Sequence, residues 1–263
     1  IYTLSLHDAL PIWSAIKILL VIIVLLALLT GGDRTAKALI TAAINCLIFA
    51  GLIFLIYMGL NPMITGILAS ILISLVTIFY QNEVNKKTKV AFLSVMIVVM
   101  IASIFIFILV RQGHIQGINV IGDEKIRETN GYLGNIGINM LMVQVTVFVI
   151  VLMGAVIDAA VAISSGMYEI AALNPDIKKY DLFASGMNIG RSILSSNVNT
   201  LFFVFAGEYM IMFINYMTYY SFKTMINSKD FAQGSLAIMI SAIACVIIIP
   251  VTRSEEHTSE LQS

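Results

Sequence analysis

Apolar runs of about 20 residues alternate with short polar stretches along nearly the whole chain. A helix needs roughly that length to cross a bilayer. About seven such runs can be marked, at 14–30, 38–59, 62–80, 90–110, 137–157, 193–214 and 234–252. Gly31-Gly32-Asp33 breaks the first run from the second. Asn61-Pro62 makes a tight turn before the third, with the proline where a helix starts. Most runs are apolar around much of their circumference, as helices facing lipid or a bundle core are. No 20–50-residue period repeats, which argues against a solenoid. The pattern predicts an all-α fold, a polytopic transmembrane helix bundle of about seven spans.

The polar positions are most ordered between Gly154 and Thr200. At helical pitch, Gln144, Gly154, Ala162, Ser165 and Glu169 all fall within about 40° of Asp158. An ionisable group at hydrocarbon depth costs roughly 2.5–3.5 kcal/mol on insertion scales and turns toward protein or water. A second stripe follows: Asn188, Arg191, Ser192, Ser195 and Asn199 share an arc of about 100°. The short charged loop around Asn174–Asp181 makes the two helices antiparallel neighbours. The expectation is that the stripes face each other, with Asp158, Glu169 and Arg191 toward one membrane boundary. Asp158 is then either a proton or cation site or a polar group satisfied by the neighbouring helix, with Arg191 as the candidate partner. The row Asn188, Ser192, Ser195 and Asn199 lines a polar path or supplies interhelical hydrogen bonds. Gly154, Gly186 and Gly190 are read as helix-packing positions, where a small residue lets a neighbouring backbone approach.

Composition sharpens this. Of 263 residues, 11% are charged against about 25% in a soluble domain, and the mean hydropathy is +0.97. That excludes a water-soluble globular enzyme. With zero net charge and no long basic run, nucleic acid is not expected as a partner. The two cysteines, Cys46 and Cys245, lie in apolar stretches without metal spacing or a disulfide framework. There is no His-Glu-x-x-His, Gly-x-Ser-x-Gly, Gly-x-Gly-x-x-Gly or Walker A lysine. No enzyme activity, cofactor or metal is expected. His114 is a lone loop histidine, and Asp123–Glu128 reads as a solvated loop.

The two ends read as foreign. Residues 253–263, Arg253 through Ser263, match the translation of a common short-read sequencing adapter. Residues 1–12, ending Leu10-Pro11-Ile12, match the opposite adapter. On this reading the insert runs from Trp13 to Thr252 and is truncated at both ends. Setting aside Arg253 and the acids Asp8, Glu255, Glu256 and Glu260 turns the neutral balance into an excess of three basic residues. Lysine and arginine concentrate on cytoplasmic loops. With the Trp13 end outside, the inside loops hold Arg34, Lys37, Lys86, Lys87, Lys89, Lys178, Lys179 and Arg191. The cluster Lys86-Lys87-Thr88-Lys89 is the clearest signal, and the expectation is Trp13 outside, Thr252 inside.

Gly154-Ala155-Val156-Ile157-Asp158, Ser164-Ser165, Glu169-Ile170, Asn174-Pro175, Gly186-Met187-Asn188-Ile189-Gly190-Arg191 and Asn199-Thr200-Leu201 together resemble the signature of the YibE/F family. The segment Gly234 to Thr252 is similar to the end of that family's domain. The resemblance implies a bacterial multi-pass protein of the cytoplasmic membrane, with an amino-terminal anchor and an extracytoplasmic domain ahead of these spans. It departs from the family at Ser192, where an acid is common, at Ser195-Ser196, where Gly-Thr is common, and at Glu208, where small residues are usual. The functional expectation is a secondary permease or exporter that uses the polar helix pair at 154–201. The alternative is a membrane scaffold or assembly partner for an extracytoplasmic domain. Expected partners are the lipid bilayer and itself or other membrane proteins.

Overall fold

The computed structural model describes residues 6–82, 84–115, 138–174, 177–219 and 221–260. The Asp123–Glu128 loop and Pro175 lie outside the described residues. The described elements are all helical. They are α1 (Leu6–Tyr57), α2 (Pro62–Leu75) continuing into a π-helical turn (Val76–Tyr80), α3 (Lys86–Gly113), α4 (Met140–Leu173), α5 (Lys179–Tyr219), a short α6 (Phe222–Ile226) and α7 (Lys229–Glu260).

Among the described residues, six helices are long and apolar enough to cross a membrane, close to the seven runs read from the sequence. The difference lies in α1. Its two apolar runs join across a kink at Gly32 (φ 55°, ψ −141°), a left-handed conformation open to glycine, with no loop between them. The helices also outrun their apolar stretches. The fourth continues unbroken past Asp158 to Leu173, and the fifth begins at Lys179, well before the apolar run at 193. Their polar ends satisfy backbone groups by staying helical, so helix ends and hydrophobic ends do not coincide.

Asparagines start several helices. The Asn61 side chain accepts from the Met63 amide at 3.0 Å, with Pro62 opening the first turn. Asn85 and Thr88 form a reciprocal capping box. Asn139 accepts from the Leu141 and Met142 amides. Each cap covers amides that a helix start leaves without partners.

The core lies where α3, α4 and α7 meet. Val95, Ile106, Leu152, Val156, Ile163 and Ile248 are fully buried there. Association in lipid depends on close packing rather than on exclusion of water, and small residues are part of it: Ala91, Ser94 and Ala160 have no exposed surface. α2 closes one flank of α4, where the Thr146 hydroxyl donates to the Pro62 carbonyl at 2.7 Å. α1 leans on α2 and its π-helical turn, and Asn45 donates to Thr77 at 2.9 Å. The Asn61 turn, the start of α4 and the start of α7 share one end of the bundle. There Gln233 of α7 donates to the Ile115 carbonyl at 2.7 Å. Lys87, lying 6.0 Å over the Tyr168 ring, marks the opposite end with the last turn of α4.

Candidate functional site

On α4 the buried side chains cover one face, and the Asp158 stripe lies across from it. Val147, Val151, Gly154, Asp158, Ala162 and Glu169 are all exposed, whereas Val149, Leu152, Val156 and Ile163 are buried. The alternation follows from pitch: steps of three and four residues keep one line facing out of the core. A Cβ built on Gly154 meets nothing within 4 Å, so the expected helix contact at Gly154 is not made. Gly154 keeps space open beside Asp158 instead.

α5 crosses this open side and packs against both α4 and α7. A Cβ on Gly186 would stand 2.6 Å from the Met167 sulfur, and one on Gly190 would stand 2.6 Å from Ile249 Cγ2. Both are close-approach positions. Continuing up the same face at helical spacing come Asn197, Leu201, Val204 and Glu208. Asn197 lies against Cys245 of α7, and its buried Nδ2 has no partner there beyond the weakly accepting Cys245 sulfur. Asp158 is close enough to Cys245 to act on it electrostatically. Asp158, Asn197 and Cys245 thus bring three helices to one place.

The second stripe is not there. Asn188, Arg191, Ser192, Ser195 and Asn199 lie about 180° round α5 from Asn197 and Val204, and all five are exposed. The stripes do not face each other. Asp158 and Glu169 make no ion pair with Arg191 among the described residues. The physical reason is that Gly186 and Gly190 occupy the opposite face of α5. Close packing pulls that face inward and turns the polar row out.

Toward the end that carries the Asn61 turn, α4, α5 and α7 diverge around a cavity of about 550 Å³. Its α4 wall is formed by Met140, Gln144, Val147 and Val151. This is the Asp158 line, some 10 Å further along the helix at 1.5 Å per residue. From α5 come Leu201, Val204, Phe205, Glu208 and Tyr209, and from α7 Asp230, Gln233, Gly234 and Ala237. Gly234 receives the Tyr209 ring: a Cβ there would overlap it. Phe205 stacks on Tyr209 with ring centroids 4.9 Å apart, and Phe213 and Phe231 extend this aromatic group.

The family model for YibE/F-like proteins matches residues 19–254. The chain belongs to that family. No curated protein and no solved structure matches it. In this YibE/F-like chain, the family-signature stretch 154–201 includes close approaches of α5 to α4 and α7 at Gly186 and Gly190, while its polar row from Asn188 to Asn199 lies on an outer face.

The sequence reading gives Cys245 and Asn197 no role, places Gln144 only as a member of the Asp158 stripe, and marks Glu208 only as a departure from the family. One signal was available for two of them. Gly186 and Gly190 define the inward face of α5, and positions seven and eighteen residues beyond Gly190 bring Asn197 and Glu208 onto it.

Proposed function

We propose that this YibE/F-like chain is a secondary permease or exporter of the bacterial cytoplasmic membrane. Its path is the groove running from the α4–α5–α7 cavity to Asp158. The observation that supports it is the placement of Asp158. It stands on the open line of α4 that forms the cavity wall, one turn from Gly154, against which no other part of the chain packs, and within electrostatic reach of Cys245. An intramembrane carboxylate with open space on its flank is placed for a proton or cation to reach it. The reading involves no enzymatic step and no cofactor. It sets the end bearing Lys86, Lys87 and Lys89 in the cytoplasm, following the bias of basic residues.

The test is transport by purified protein in proteoliposomes, with and without a proton gradient. Asp158→Asn is expected to abolish gradient-driven transport while insertion and yield stay normal. Wild-type transport by that variant would remove Asp158 from the mechanism.

A second reading, a membrane scaffold, is favoured by a different observation. Asn188, Arg191, Ser192, Ser195 and Asn199 form an outward face of α5 without a hydrogen bond. Polar side chains on a spanning helix are covered by protein or water. On this reading a neighbouring membrane protein covers them, and the double variant Ser195→Leu/Asn199→Leu loses a co-purifying partner that Asp158→Asn retains.

A further inference from the structure

We propose that the α4–α5–α7 cavity binds an amphipathic organic cation: a hydrophobic body carrying one positive charge. This deepens the permease reading by naming its substrate class, but the binding does not itself require transport. Three features of the cavity carry it. Its walls are mainly apolar, with Val147 and Val151 facing Leu201 and Val204, and its volume of about 550 Å³ suits a small hydrophobic molecule. The charged residues in its lining are both acids, Glu208 from α5 and Asp230 from α7. Both lie within electrostatic reach of the Tyr209 hydroxyl. Finally, Gln144 is 9% exposed, lines the cavity and makes no hydrogen bond with the protein.

The Gln144 amide is not sealed in the packing but opens onto the cavity without a protein partner. Gln144 is therefore left to meet something inside the cavity. An acyl chain would satisfy the valines and leave Gln144 and the Glu208 carboxylate unanswered. An anion would meet the Glu208 carboxylate. A bare metal ion wants several converging oxygen ligands, and among the described residues no three His, Cys, Asp or Glu side chains converge to hold one. An organic cation fits all the features together. Its apolar body lies along Val147, Val151 and Leu201, and its charge sits by Glu208 and over the faces of Phe205 and Tyr209. Rings of this kind attract cations through their quadrupoles.

Two ions of nearly the same shape and opposite charge make the test: tetraphenylphosphonium and tetraphenylborate, measured by equilibrium dialysis against the purified chain in an uncharged detergent. The phosphonium is expected to bind one per chain and at least tenfold more tightly than the borate. Glu208→Gln should weaken the phosphonium at least tenfold and leave the borate unchanged. Val147→Trp, which fills the cavity without altering its charge, should abolish saturable binding of both. Asp230→Asn replaces Glu208→Gln if the latter does not elute as a single folded species. Equal binding of the two ions, as an apolar acyl-chain groove would give, overturns the proposal. So does wild-type phosphonium affinity in a folded carboxylate variant or in Val147→Trp. If binding behaves as expected but Asp158→Asn still transports, Asp158 coupling fails and the site stands. If Asp158→Asn abolishes transport but the two ions bind alike, the site fails and the coupling stands.

Discussion

Ser94 and Ser103 of α3 are buried, and each hydroxyl donates to the carbonyl four residues back, at 2.8 and 2.7 Å. Ser241 of α7 does the same at 2.8 Å. On α5, Ser192 and Ser195 are exposed and make no hydrogen bond. The residue type is the same and the spans adjoin, yet the polar atoms are handled in opposite ways. In the α3–α4–α7 core a serine is a small residue whose hydroxyl its own helix satisfies, so it packs like an alanine. On the outer face of α5 the serines accompany Asn188, Asn199 and Arg191, whose side chains carry more donors and acceptors than an i−4 carbonyl can serve. Half of the most apolar stretch of α4 is buried (50%) and none of that of α5, so the second face is left for a partner or for water.

The largest separation between the two regions should come from adding bulk. Ala160 on α4 has no exposed surface. Ala160→Leu forces three more carbons into the packed core and should cost about 1–3 kcal/mol. Ser195→Leu adds similar bulk on the outer face of α5 and should cost less than about 0.5 kcal/mol. Thermal unfolding of both variants in a mild uncharged detergent measures the gap. Equal losses would mean that the face around Ser195 is packed against protein already within one chain.

A finer version uses the glycines. Gly190→Leu drives a side chain into Ile249 and should part α5 from α7, costing about 1–3 kcal/mol. Gly154→Leu meets open space and should leave stability nearly unchanged. In transport assays the order should reverse. Gly154→Leu fills the flank of Asp158 and is expected to slow any flux through the groove, in a protein that unfolds like the wild type. A Gly154→Leu protein with lower thermal stability would contradict the open flank.

Much of this was legible in the sequence. Run lengths gave the spans, Asn61-Pro62 and Gly31-Gly32 gave the breaks, and the Asp158 stripe gave one line along α4, exposed at Gly154, Asp158, Ala162 and Glu169 but half-buried at Ser165 and buried at Gln144. What misled was the assumption that polar stripes on neighbouring helices turn toward each other. On α5 two faces compete for the interior, one polar and one carrying Gly186, Gly190 and Asn197. Contact with Met167 and Ile249 goes to the small residues, because a backbone can approach there. Pitch alone fixes which residues share a face. It does not say which of two faces turns inward. The groove residues were harder still. Gln144, Glu208 and Asp230 lie on three helices, and only the divergence of those helices brings them to one cavity.

The smallest expected effects test whether buried polar atoms in the two regions carry different energies. Ser94→Ala removes a hydroxyl whose partner is a carbonyl of its own helix. That carbonyl already accepts the helical amide bond, so little is lost, and stability should change by less than about 0.5 kcal/mol. Asn197 differs, because its Nδ2 is buried and meets at most the weakly accepting Cys245 sulfur. Leaving such a donor unmade costs about 1–3 kcal/mol. Asn197→Leu, of similar size and without the donor, should therefore raise stability by about 1 kcal/mol, an increase visible in thermal unfolding beside an unchanged Ser94→Ala. A natural sequence that keeps a destabilising amide against Cys245 and near Asp158 does so for a use other than packing. The more stable Asn197→Leu protein should accordingly lose activity in the assay that Asp158→Asn fails. If Asn197→Leu is instead less stable, the amide has a partner in the membrane, and the contrast between the core and the groove dissolves at that position.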